Sequence, residues 1–575
     1  MTSILARLRR GALVAAALLV APTAGAQTAT LALINAHVVT VDSAKPEAEA
    51  VAIAGDRILV VGTNDEIRRH MDARTHVLDV GGRLVIPGFI EGHGHLLGLG
   101  DTRRKLDLTT ARTWDEIVAR VAAAARAMPR GTWIIGHGWH QEKWDRAPSP
   151  TVEGYPVHAS LSAASPNHPV LLEHASGHAS FVNGVALRLS GITNATRDPA
   201  GGEIVRDATG AATGLLRESA QDAAERALAR ARAGRTRAQR EAEMRQLVEL
   251  AGADALAKGV TSFHDAGSSF EAIDVFRKMA DERKLPVRLY PMVRGEPLAR
   301  MDSLLGRYRL IGHGAGFLTV RTIKRQIDGA LGSHGAWLLE PYADLSRSTG
   351  LALEQPASLA RVAELAVRHG YQLATHAIGD RANREVLDVY EKAARTARLD
   401  TLRWRIEHAQ HVEPSDVARF ARLGVIASMQ GIHTISDAPW IPAKLGPERT
   451  ERESYLFRSL WDAGAVITNG TDAPVEDVNP IPSFYGMVAR IDKDGRVFVP
   501  AQRLTRAEAL RAYTLNNAYA SFQERELGSL TPGKYADVVV MSKDIMRIPE
   551  GEIPSARVDY TIVAGTVRYR RDATP

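Results

Sequence analysis

Two histidines one residue apart, His93 and His95, close the apolar run "GGRLVIPGFIEGHGH". Residues i and i+2 of a strand face the same side, so both imidazoles project together at a strand end where glycines leave room. A divalent ion suits that arrangement, although an isolated H-x-H is as readily a solvated turn. Four more residues of ligating type follow the same rule. Lys324 lies in the strand-like "TVRTIKRQIDGALGS", His376 ends "YQLATHAIGD", His408 ends "LRWRIEHAQ", and Asp472 ends "AVITNGTDAPVED". Each alone has a plain explanation, a capping histidine, a snorkelling lysine or an aspartate opening a turn; six matched placements in one chain point to a metal site. The sequence has no cysteine, which removes thiolate ligands and thiolate nucleophiles from consideration.

Such residues need a scaffold that gathers strand ends. Eight apolar stretches, near 84–91, 259–264, 287–293, 319–326, 371–376, 403–408, 424–429 and 465–471, alternate with amphipathic helices such as "SLARVAELAVRHG" and "EPSDVARFARLG", each closed by glycine. The pattern predicts an α/β fold, a (β/α)8 TIM-like barrel with its site at the C-terminal strand ends. The gap between the first two strands far exceeds a normal βα connection, so a long insertion, about 100–255, is expected there. The flanks differ. Residues 27–84 and 523–575 read as short strands with tight turns, predicting one small β-sandwich domain built from both ends around a barrel domain of 85–522.

The first residues, "MTSILARLRRGALVAAALLVAPTAGAQ", combine a basic start, a short apolar stretch and small residues at Ala24 and Ala26. They read as a signal peptide, residues 1–26, cleaved after Ala26, and predict a periplasmic or secreted protein with no membrane span once it is removed. Arg7, Arg9 and Arg10 there supply three of the six net positive charges. What remains, without a compact basic stretch, argues against a nucleic-acid partner and for a small-molecule substrate; a homodimer is compatible with the chain.

Taken together, "VIPGFIEGHGH", "IKRQIDGALGS", "ATHAIGD", "RIEHAQ", "GTDAPVEDVNP" and the tail "LTRAEALRAYTLNNAYA" with "GSLTPGKYADVVV" resemble the metal-dependent amidohydrolase superfamily. The group that matches is amidohydrolase family 3, which includes N-substituted formamide deformylases, and the resemblance runs from about residue 30 to 570. Glu91 stands where many relatives carry aspartate. The resemblance implies a centre of two divalent ions, expected to be zinc: His93, His95 and Asp472 on one, His376 and His408 on the other, with Lys324 carboxylated by carbon dioxide as the bridge. An ammonium cannot ligate a cation, whereas a carbamate offers two oxygens; the alternative is an ordinary lysine at 324 that binds substrate. The ions would activate water, and Asp472 would carry its proton to a leaving nitrogen. His178 and His264 are the candidate substrate contacts, while Trp139, Trp144 and Trp337 read equally as pocket wall or core. The function expected is hydrolysis of an amide-type C–N bond outside nucleobases. The alternatives are a one-metal deaminase, an ester or lactone hydrolase, and a non-catalytic binding protein.

Overall fold

The computed structural model describes residues 27–571, so the expected signal peptide lies outside the described residues. Eight strands form the centre: β1 (Phe89–Gly94), β2 (Val260–Ser268), β3 (Arg288–Val293), β4 (Thr322–Gln326), β5 (Gln372–Ala377), β6 (Arg405–His408), β7 (Ile426–Met429) and β8 (Ile467–Asn469). Parallel ladders join each to the next from β1 to β8. Nearly all their residues are buried, as parallel strands covered on both faces require. The expected helices end as their glycines demand: Pro356–His369 stops at Gly370 and Pro414–Leu423 at Gly424, both with φ of +66°.

Among the described residues no ladder joins β8 to β1, and side chains close that seam instead. Asn517 Nδ2 donates to Ile90 O at 2.7 Å and to Asn469 O at 2.8 Å, tying the two strands together. Beyond it the backbone closes the ring, with Asp472 N donating to His93 O at 2.8 Å and His95 N to Ala473 O at 2.6 Å.

The long segment between β1 and β2 carries its own six-stranded sheet, from Leu106–Asp107 to Ala212–Glu218. Trp139 is fully buried there against Trp144 and Phe181, so it is core. The 21-residue helix Arg237–Ala257 then returns to the barrel. It crosses the helix Leu96–Thr102 so closely that a Cβ on Gly100 would lie 2.1 Å from Leu247 O, which only glycine allows. At the other end Leu84–Pro87 pairs antiparallel with Val538–Met541, so the two termini share one sheet. That sheet packs on a second, four-stranded one through Leu33, Val51, Val85, Val538 and Ile562.

Candidate metal centre

Inner and outer faces follow from register. Lys324 pairs with Ala374, Gln326 with His376, and His376 with Glu407, so these residues share the inner face of β4, β5 and β6. His408 comes next after Glu407 and by alternation would face out. Its φ of +76° breaks the alternation, and its ring lies 4.7 Å from that of His93 and 4.4 Å from that of His376. Asp472 also sits in the left-handed region, with φ of +58°. Such residues persist where their surroundings over-determine them. Here Glu91 does so, accepting from Thr471 N at 2.6 Å and Thr471 Oγ1 at 3.1 Å and fixing the turn that presents Asp472. Burial pushes the Glu91 carboxyl up to about 8.

Three ligand atoms converge. His93 Nε2 is 3.4 Å and His95 Nε2 3.2 Å from Asp472 Oδ1, and one atom from each residue lies within 4.8 Å of the others. The tautomers are set from behind. His93 Nδ1 contacts Glu407 Oε2, and Arg405 Nε pairs with Glu407 Oε1 at 2.7 Å. A carboxylate there holds the proton on Nδ1 and leaves Nε2 a free lone pair toward Asp472. Gln430 Oε1 does the same for His408, 2.8 Å from its Nδ1.

The second group adjoins the first. His376 Nε2 is buried without a hydrogen-bond partner, 3.5 Å from Asp328 Oδ1. Lys324, 3% exposed, brings Nζ to 3.4 Å from His93 Nε2. Asp472 Oδ1 is likewise buried and left without a hydrogen bond. Buried polar atoms are normally paired, and orphaned nitrogen and oxygen atoms facing one another form a donor set that fits divalent cations.

The electrostatics agree. Burial, foremost, holds His93 and His376 well below the usual imidazole value and His408 at about 4, so all three offer lone pairs at neutral pH. Burial also pushes the Asp472 carboxyl up, but His93, His95 and His408 outweigh it and keep the group ionised. Burial and then the neighbouring Arg294 bring the Lys324 amine down to about 7.

The structure thus gathers His93, His95, Lys324, His376, His408 and Asp472 at one end of the barrel. His178 comes from the insertion, anchored by Glu218 Oε2 at 2.9 Å from its Nδ1. His264 does not reach the rim. Strand β2 continues to Ser268, four residues past His264, which is wholly buried between Arg405 Nη1 at 3.2 Å and the Tyr290 ring at 5.1 Å. The expectation that His264 lines the pocket is corrected on that ground.

Several supporting residues escaped the sequence reading. Asp328 accepts from Trp337 N, Ile378 N and Gly379 N at 2.9–3.0 Å, pinning the turn after β5 beside His376. Its place in "IKRQIDG" was the available signal. Glu407 adjoins His408 in "RIEH", whereas Gln430 carries no local signal. His433, 7% exposed and stacked 6.5 Å from His408, has both ring nitrogens buried without a partner.

The comparisons with known proteins agree with this geometry. The amidohydrolase family model matches residues 76–569. The chain is 34% identical over 562 residues to the protein LONG AFTER FAR-RED 3 of Arabidopsis thaliana, covering 95% of this chain and 93% of that one. It is 31% identical over 555 residues to the N-substituted formamide deformylase of Arthrobacter pascens, covering 95% and 99%. Among solved structures, an uncharacterised metal-dependent hydrolase from Pyrococcus horikoshii superposes with a TM-score of 0.72 at 26% identity, covering 91% of this chain and 99% of that one.

Proposed function

The chain belongs to the amidohydrolase family, and from that premise we propose that it hydrolyses an amide-type C–N bond outside nucleobase rings. The observation that carries this is the convergence of His93 Nε2, His95 Nε2 and Asp472 Oδ1 beside the orphaned His376 Nε2. In this reading His93, His95 and Asp472 would hold one ion and His376 and His408 a second, and Lys324, once carboxylated, would offer its carbamate oxygens as further ligands. Divalent ions bound there, zinc foremost, supply Lewis acidity and lower the pKa of water toward neutrality.

The chain's own residues do the rest. Asp472, kept ionised among the histidines, takes a proton from the attacking water and delivers it to the leaving nitrogen. Glu407 and Gln430 hold the imidazole orientations, so the site is organised before substrate arrives. His178, braced by Glu218, closes the site from the insertion as a substrate contact. Similarity to an N-substituted formamide deformylase supports N-substituted amides as the first substrates to try. Export with cleavage after Ala26 and assembly as a homodimer belong to the same reading, and intact mass and light scattering test them.

A second reading, a one-ion deaminase, draws on a specific observation. Among the described residues, His93, His95 and Asp472 form the one group of three or more His, Asp or Glu with ligand atoms within 4.8 Å. The deciding experiment is a screen of N-formyl and N-acyl amines, lactones, esters and aminoheterocycles with metal-loaded enzyme. Release of an amine and an acid, abolished by chelation, is the expected result; release of ammonia from an aminoheterocycle alone would establish the deaminase.

A further inference from the structure

Ligands to the proposed centre come from β1, β4, β5, β6 and the segment after β8, while β3 supplies none. Directly after β3 comes Arg294, on the same rim. Its side chain is held. The stem lies on Gly267, where a Cβ would come within 2.4 Å of Arg294 Cδ, and Nη2 donates to Gln326 Oε1 at 2.7 Å. Gln326 ends β4 and is the register partner of His376, which brings this guanidinium to the edge of the site.

What Arg294 lacks is an anion. About half of the arginines of this protein pair with a carboxylate within 4 Å, as Arg288, Arg325, Arg405 and Arg458 do; among the described residues none does so with Arg294. The nearby acids are committed elsewhere. Asp265 accepts from Leu96 N at 2.9 Å and from Ser268 Oγ, and Asp472 faces His93 and His95. Glu354 pairs with Arg325 at 2.5 Å. The guanidinium is only partly exposed, and a partly desolvated cation with one neutral partner retains donors in a fork that matches a carboxylate. The charge also lies near enough to Lys324 to disfavour a second cation there, and near enough to Asp472 for that carboxylate to favour the guanidinium's charge. It therefore adds to the positive field of any cations held there, and such a field favours anionic ligands.

We infer that Arg294 is a specificity determinant that grips a carboxylate carried by the substrate near the scissile amide. The preferred substrates are accordingly amides bearing an acid group, on either the acyl or the amine side. This rests on the amide-hydrolase reading above.

The test compares N-acylated amino acids (both enantiomers) and N-alkyl succinamates with neutral amides of equal size in which a methyl group replaces the carboxylate. For wild-type metal-loaded enzyme, kcat/KM is expected to favour at least one acidic series by about tenfold or more, the scale of a charge-assisted bidentate contact. In Arg294→Met the ratio of acidic to neutral substrate should fall to near one, chiefly through KM, and Arg294→Lys should recover part of it. A wild-type ratio near one, or a ratio that survives Arg294→Met, overturns the inference while leaving amide hydrolysis standing. Should no amide be cleaved, the hydrolase reading fails separately. Calorimetric titration with the same N-acylated amino acids then decides about Arg294: saturable binding lost in Arg294→Met supports it, and absent or unchanged binding overturns it.

Discussion

Glu407 and His93 are in direct contact through Oε2 and Nδ1, both side chains wholly inside the barrel, so the edge of His93 that meets Asp472 is its Nε2. Replacing Glu407 with Gln should weaken metal binding by about ten- to a hundredfold, the usual effect of losing a carboxylate behind a ligating histidine. It also leaves the buried Arg405 guanidinium without its anion, a loss on the order of 3–5 kcal/mol in stability. Chelator competition and urea denaturation measure the two effects. Unchanged metal affinity would show that Glu407 serves Arg405 alone.

Asp472 is assigned two tasks, ligand and proton carrier, and Asp472→Asn separates them. The amide is nearly isosteric and retains one oxygen for a metal, but it cannot take a proton. Turnover should fall by about 10²–10⁴ with most of the metal retained, whereas His376→Ala should lose metal and activity together. Near wild-type turnover in Asp472→Asn would remove the proton-transfer role.

Lys324 must be uncharged to take up carbon dioxide, and burial with Arg294 brings its amine down to about 7. Reconstitution with zinc and bicarbonate should therefore be complete at pH 8 and decline as pH falls through about 7, while Lys324→Met shows a smaller pH effect. The sign for stability follows from the same shift. An unfolded lysine titrates near pH 10.4, so between about 7 and 10 the unfolded chain holds a proton the folded one has released. The metal-free protein should then gain stability as pH rises through that window; below it Lys324 adds no further pH dependence, because the cost of burying its charge is already fully felt there. Equal metal uptake at pH 6 and pH 8 would speak against the carbamate.

Asn517 closes the barrel seam with one amide group shared by Ile90 O and Asn469 O. Asn517→Leu leaves two buried carbonyls without that donor, a cost of about 2–5 kcal/mol in total. Because β1 carries His93 and β8 leads to Asp472, metal affinity should fall with stability. Urea denaturation of the metal-free protein gives the first quantity; a change under 1 kcal/mol would show that the flanking backbone bonds suffice.

The residues legible in the sequence were those whose role depends on a strand end. His93, His376 and Asp472 could be placed because an apolar run stops at each, and the helix-closing Gly370 and Gly424 marked where the units repeat. His408 was found by the same rule, although its inward direction depends on a positive φ that the letters do not show. His264 is misplaced because β2 runs four residues longer than its apolar core suggests, the polar Asp265 and Ser268 being buried in it as well. Glu407, Gln430 and Arg294 act across strands, and cross-strand register is decided by the whole barrel rather than by any local run.

The most direct test of the proposed centre is anomalous diffraction from crystals of the zinc-loaded protein, recorded on both sides of the zinc absorption edge. Two peaks per chain are predicted, one among His93, His95 and Asp472 and the other at His376 and His408, with continuous density from Lys324 Nζ reaching both. A single peak at the first group, with Lys324 an unmodified amine, would contradict the two-ion centre and favour one-ion chemistry.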